Sequence, residues 1–499
     1  MNCFNERMAK PRNPQSPPLT KAPTATKPTS PFTRPDIRKT SSKPDRTPNR
    51  SEARKPQSQR NEADAARQGR PTPAKPTPRP ANISSPVQEF GARITRRASD
   101  RLRNGHLWVY ATDIESIFTG NEDAPALLPV ADNRGLLLGT ALYSPASQIA
   151  LRLVSREAID QAKWLSLLAT RLRAAIARRL PLLNADTDAC RLVFSEADNL
   201  PGLIIDKYAG IVIVQLLAKG LDRADVREIC VQALRQELVT IKDTLTIWER
   251  PDPRIRELEG LSAPASTPLF ASNPESPAAS TLFRLNGLSF HFDVNSGQKT
   301  GAFLDQRQNY AAAAAWAKAR GTKKALDICT YQGGFALHLA QVCEQVTGVD
   351  ASRASLEVAE RNLEANRSHL KTEVDWLEAD AFELLRGWSE AKEPSDFDLI
   401  VLDPPAFAKS KRAVEGALRG YKELNLRALH LLKPGGLLIT CSCSHHITWT
   451  DLESAVASAA IDAHRRVTLL ERRGAAQDHP VLLNLPETEY LKCLICAVD

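Results

Sequence analysis

From Lys324 onward the chain alternates short apolar runs with helix-length segments: KALDIC, VTGVD, WLEAD, FDLIVLD and GGLLITCSCS each precede one, and the second of these segments runs from Ser352 to Asn366. This alternation constrains the fold more than any other feature, because neighbouring parallel strands need a long crossover and a helix normally supplies it. It predicts an α/β domain built on a doubly wound, Rossmann-like parallel sheet. In such sheets ligands bind beyond the carboxyl ends of the strands. No internal repeat accompanies the pattern.

At 499 residues the chain is too long for one core, so other folded units are expected ahead of this domain. The run FRLNGLSFHFDV places Asn286-Gly287 between alternating apolar residues, a strong hairpin signal. Upstream, a Pro/Ser/Ala stretch over 261–281 reads as a loop. Before it, a helix fits 159–180 and another fits 221–237, with strand-like CRLVF, GLIID, GIVIVQLLA and TLTIWER around the second, which describes an α+β unit. LLPVAD, LLLGTALY and IALRLVS, each bounded by turn residues, form a small β-rich module. The expected divisions are 1–88, 89–157, 158–282 and 283–499.

Charge separates the first segment from the rest. Residues 1–88 hold 18 of the 66 Lys and Arg, 6 of the 58 Asp and Glu, and 17 of the 34 prolines. The tail is therefore basic and Pro-rich, and is expected to be disordered, acting as a passive extension or as a salt-sensitive tether for nucleic acid. The remainder carries a net charge of −4, which excludes a uniformly basic, histone-like protein. No run approaches the roughly 18–20 apolar residues of a membrane helix, and the start has no apolar signal region. Tail prolines argue against the amphipathic helix of an organellar presequence. Nine cysteines without framework spacing suggest a reduced, cytoplasmic thiol set.

The chemistry begins at Asp327-Ile328-Cys329-Thr330-Tyr331-Gln332-Gly333-Gly334, an apolar strand running into a Gly-Gly turn and then a helix. Glycine there lets backbone approach a ligand, and the absence of G-x-G-x-x-G spacing disfavours a dinucleotide. Asp350 ends the next strand, where a carboxylate accepts from two ribose hydroxyls. Asp380 ends the third, beside the place of an adenine amino group. Asp403-Pro404-Pro405-Ala406-Phe407 ends the fourth. Each Asp alone is an ordinary turn former. Together the series resembles the class I S-adenosylmethionine-dependent methyltransferases, whose sheet adds an antiparallel final strand that YLKCLICAV at 490–498 would supply.

The stretch Gly297-Gln298-Lys299-Thr300-Gly301-Ala302-Phe303-Leu304-Asp305-Gln306-Arg307, the DPPAFAKSK block and the GLLITCSCS block are similar to the RlmI-type rRNA large-subunit cytosine-C5 methyltransferases, over about residues 90–499. The resemblance implies an N-terminal PUA domain, a central α+β domain and a C-terminal methyltransferase domain. It implies S-adenosylmethionine as cofactor, bound by Asp327, Thr330, Tyr331, Gly333, Gly334, Asp350 and Asp380, with Lys299, Asp305 and Arg307 at its methionine end. Read from composition alone, Lys299 and Arg307 are solvated charges.

Carbon 5 of cytosine is too electron-poor to attack a methyl sulfonium until a thiolate has added to C6. The resemblance places that nucleophile on Cys443, in Thr440-Cys441-Ser442-Cys443-Ser444, and makes Asp403 its partner at N3 of the base. Cys441, two residues earlier, is the competing thiol, since on an extended strand both share a face. The two-cysteine RNA enzymes carry a second Cys where Ala406 stands, so release proceeds without it. A stacked base must be single-stranded or flipped to reach such a site. Phe407 and Tyr421 are candidate stacking surfaces. Arg93, Arg96, Arg97, Arg101 and Arg103 in the PUA-like module, and Lys409, Lys411 and Arg412 after the DPP turn, are candidate RNA contacts.

Adjacent His445 and His446, and Cys493-x-x-Cys496 without a second pair, do not make a zinc site, so no metal is expected. The expected partner is RNA, foremost rRNA of the large ribosomal subunit, with no membrane; a homodimer is left open. Two other readings stand beside this one. An N-methyltransferase acting on guanine or adenine would use the DPPAF turn without a thiol, and a non-catalytic RNA-binding assembly factor would keep the fold without turnover.

Overall fold

Seven strands of the carboxyl-terminal domain set the frame, and in the computed structural model they form one mixed sheet. They are β1 (Lys324–Ile328), β2 (Gln345–Asp350), β3 (Val374–Glu378), β4 (Phe397–Leu402), β5 (Leu432–Ser442), β6 (Val467–Arg473) and β7 (Lys492–Val498). Their order is β3-β2-β1-β4-β5-β7-β6. The first five pair in parallel, and β7 runs antiparallel between β5 and β6. The expected doubly wound sheet with an antiparallel final strand is thus the fold observed. Residues 91–120, 125–238, 244–296, 300–391, 396–408 and 410–499 are described; the predicted tail over 1–88, Lys299 and Lys409 lie outside them.

Near-continuous apolar runs, whose successive side chains point to opposite faces, bury this sheet on both sides. Leu437, Ile439 and Cys441 of β5 join one core, and Leu438 joins the other. The first core packs α1 (Arg307–Arg320), α2 (Gly334–Ala340) and α3 (Arg353–Asn366) through Tyr310, Ala313, Phe335, Leu337 and Leu363. The second packs α4 (Ala381–Ser389), α5 (Val414–Leu431) and α6 (Trp449–Asp462) through Leu385, Leu424, Ala428, Leu452 and Ala459. Among the described residues, no helix is long and apolar enough to cross a membrane.

The first core continues into the middle of the chain. A five-stranded sheet spans Ala189–Phe194 to Phe270–Ala271 and carries helices Gln161–Arg179 and Ala224–Glu237 on one face, through Trp164, Leu168, Cys190 and Val212. Its other face, through Ala189, Tyr208, Ile211 and Ile213, packs on the hairpin Ser280–Leu285/Leu288–Asp293. That hairpin turns at Asn286 (φ 53) and Gly287 (φ 85), two positive angles of the kind an Asn-Gly pair tolerates. The amino-terminal module is a six-stranded sheet carrying one helix, Arg96–Arg103, capped by Thr95.

Candidate active site

Beyond the carboxyl ends of β1 to β5 lies a cavity of about 580 Å³. Its walls bring together Asp305, Thr330, Tyr331, Asp350, Asp380, Asp403 and Cys443 from the sequence-predicted set. The turn after β1 makes this approach: Cys329 (φ 63), Tyr331 (φ 53) and Gly333 (φ 87) all hold left-handed backbone, sharply reversing the chain at the strand end.

Asp350 anchors that turn, its Oδ2 accepting from the Tyr331 N–H and its Oδ1 from the Ser352 N–H, both at 2.9 Å. A carboxylate oxygen has two lone pairs, so each keeps one for a diol. Asp380 caps α4, accepting from the N–H groups of Phe382 at 2.9 Å and Glu383 at 3.0 Å. Apolar Val349, Ala379, Phe382 and Phe407 line the same wall. Volume, an acid beside apolar residues, and a reversed strand-end turn together fit S-adenosylmethionine, for which Asp350 would hold the ribose and the Ala379–Phe382 wall the adenine.

Four predicted residues are not among those that line the cavity. Asp327 is fully buried and faces back into its own turn, where Oδ2 accepts from Thr330 Oγ1 at 2.6 Å and from the Ala336 N–H at 2.9 Å. Burial pushes its carboxyl up to about 7, opposed by the Thr330 hydroxyl. It shapes the turn and does not line the cavity. Gly333 and Gly334 serve packing: a Cβ on the first would meet Trp376 at 2.9 Å and on the second Tyr310 at 2.4 Å. Arg307 is buried beneath the site, donating to Ala189 O at 3.0 Å and pairing with Asp478 at 3.4 Å. Its place at the methionine end is corrected, because the first turn of α1 directs it toward the middle sheet.

The same sheet grips the wall that carries Asp305. Arg191 holds Asp206 bidentately at 2.8 Å, Asp206 accepts from Thr300 Oγ1 at 2.6 Å, and Thr300 lies 3.0 Å from the Tyr208 hydroxyl. Asp305 itself accepts from the Tyr490 hydroxyl. Sequence reasoning assigned no role to Phe303, Gln306, Tyr310, Phe335 or Leu491, which also line the cavity.

Cys443 and Asp403 meet because β4 and β5 are neighbours, with Leu402 opposite Thr440. The strand ends at Ser442, so Cys443 leaves the sheet, and its Sγ lies 3.9 Å from Pro404 O. Its loop is braced from below: buried Lys492 donates to Ser444 O at 3.0 Å and Ile447 O at 2.6 Å. Cys441 instead stays within the sheet, fully buried and opposite Cys493. Hydrogen bonding to Cys493, together with burial, pushes its thiol well above the ordinary range. Phe407 lines the cavity, whereas Tyr421 is core, its hydroxyl 2.8 Å from Ser442 Oγ.

Of the arginine cluster, Arg93, Arg96 and Arg97 are exposed. Arg101 is tied to Asp113 and Arg103 to Asp132, each at 2.5 Å, so both hold their own module together. Lys411 and Arg412 are exposed at the start of the turn before α5. His445 Nδ1 lies 3.1 Å from Glu487 O, and no cluster of His, Cys, Asp or Glu suited to a metal occurs among the described residues.

Comparison with known proteins matches residues 196–480 to the S-adenosylmethionine-dependent methyltransferase family and residues 92–156 to the PUA-like domain. Ribosomal RNA large subunit methyltransferase I of Pseudoalteromonas translucida is 37% identical over 402 residues, covering 80% of this chain and 96% of the relative. Its namesake from an Enterobacter species is 34% identical over 407 residues, covering 81% and 98%. A solved structure from Streptococcus mutans, described as that of a SAM-dependent methyltransferase, shares the fold with a TM-score of 0.66 at 20% identity, covering 82% of this chain and all of its own.

Proposed function

The chain belongs to the S-adenosylmethionine-dependent methyltransferases, and among them to the ribosomal RNA large subunit methyltransferase I family; from that premise we propose that it methylates C5 of a cytosine in large-subunit rRNA through a covalent adduct at Cys443. The observation that carries this reading is one cavity holding Asp350 and Asp380 on one side and Asp403 with Cys443 on the other. S-adenosylmethionine, when bound, supplies an electrophilic methyl group. Everything else falls to the chain.

The Cys443 thiolate adds to C6 of the base, forming the S–C6 bond, while Asp403 gives its proton to N3. The former C5=C6 electron pair now lies between C4 and C5, which makes C5 an enamine carbon able to take the methyl group. A water molecule acting as base takes the C5 proton, the C5–H electron pair reforms C5=C6 and the S–C6 pair leaves with the Cys443 thiolate, and the N3 proton returns to Asp403. Arg93, Arg96 and Arg97, with Lys411 and Arg412, are suited to RNA phosphates. An rRNA substrate supports a cytoplasmic setting for this work.

Methyl transfer to large-subunit rRNA by Cys443→Ala tests the reading. Full loss of transfer with retained S-adenosylmethionine binding is expected. Retained transfer would point to an N-methylating enzyme, which needs no thiol.

A further inference from the structure

Asp403 stands at the end of a hydrogen-bond chain whose direction is set at its other end. Arg473, on β6, can only donate. Its Nε donates to Asn309 Oδ1 on α1 at 3.0 Å, which fixes the remaining arm of that amide as the NH2 group. Asn309 Nδ2 accordingly donates to Gly474 O at 3.1 Å and to Gln306 Oε1 at 2.6 Å. Gln306 must then present its own NH2 to the cavity, and Nε2 donates to Asp403 Oδ2 at 2.9 Å. Both amides are buried, at 1% and 3% exposure. Flipping either one would set donor against donor away from water, at the full cost of a buried unsatisfied group.

Resting on the catalytic reading of Asp403, we propose that Gln306 is its positioning residue: the N–H it donates to Oδ2 sets the rotation of the carboxyl group that serves N3. Among the described residues, titratable groups around Asp403 include Tyr310 on α1, Asp327 and Cys329 at the end of β1, Tyr421 on α5, and Cys441 and Cys443 at the end of β5. Asp305 and Asp350 line the same cavity. A neutral donor aimed at the carboxylate favours its charged form.

The experiment follows single-turnover methyl transfer to large-subunit rRNA against pH, with S-adenosylmethionine affinity measured in parallel. Wild type, Gln306→Leu, Gln306→Glu and Asp403→Asn are compared. Removing the donor raises the pH at which Asp403 gives up its proton. The alkaline limb of the profile should move up by about one pH unit in Gln306→Leu, and further in Gln306→Glu, where a second carboxyl faces the first. S-adenosylmethionine affinity should stay within about twofold, since Gln306 orients the acid and leaves the ribose and adenine walls untouched. An unmoved limb in both Gln306 variants, with Asp403→Asn inactive, overturns the role of Gln306. Loss of cofactor binding in step with activity also overturns it and marks the residue as scaffold. Activity in Asp403→Asn overturns the catalytic reading instead.

Discussion

Two thiols two residues apart have opposite prospects. Cys441 is sealed opposite Cys493, whereas Cys443 steps off the strand end into the cavity wall. RNA carrying 5-fluorocytosine should therefore trap a covalent adduct with wild type and with Cys441→Ser, and none with Cys443→Ser, because fluorine cannot leave as a proton does. A gel assay checks this, and the reverse pattern would move the nucleophile to Cys441. Asp350→Ala should weaken S-adenosylmethionine binding by about 1–3 kcal/mol, the cost of a lost charged acceptor; calorimetry reads it. At this scale the sequence shows which residue types stand at which strand ends. It does not show where a side chain points. Asp327 and Asp350 both sit near strand ends, but Asp327 pairs opposite Gly348, two residues short of Asp350, and so caps its own turn from within while Asp350 lines the cavity. Arg307 follows Asp305 by two residues and faces another domain.

Elements were more legible than side chains, since period-2 and helical spacing are read directly from apolar residues. The five parallel strands, the Asn286-Gly287 turn and the helix near 159–180 follow that rule, whereas β6, Val467–Arg473, is not anticipated by it. Helix Arg96–Arg103 escaped it because its buried face is only Ala98, Ser99 and Leu102 among arginines. Helix Pro253–Glu259 is also brief, marked by its Asp252 cap and Gly260 (φ 64) rather than by apolar periodicity. Helix α2 carries a pH signature. His338 is buried, with Nδ1 2.7 Å from Gly334 O and Nε2 3.0 Å from Asn286 Nδ2, so it stays neutral and ties the helix to the hairpin. Burial pulls its pKa down from 6.5 to about 4. The unfolded chain then binds the proton first, so stability is full above 6.5, falls as pH drops toward 4, and changes no further from this group below that. The loss is at most about 3 kcal/mol. Thermal melts across that window should slope less in His338→Gln than in wild type.

For the whole molecule, charge and contact pull in different directions. The basic segment 1–88 contrasts with a slightly acidic remainder. Its deletion should leave melting temperature and methyl transfer unchanged while flattening the salt dependence of rRNA binding, as expected when several phosphate contacts are lost. A large fall in melting temperature on deletion would mean that the boundary is misplaced. Elsewhere the chain resists division. The wall from Thr300 to Gln306 is clasped by Asp206 and Tyr208, with Arg191 behind Asp206, residues that lie about a hundred positions earlier. Hybrid enzymes spliced in the Pro/Ser/Ala stretch before the hairpin would pair that wall with a foreign clasp. Recombination upstream of Gln161 would let both halves of the grip be inherited together.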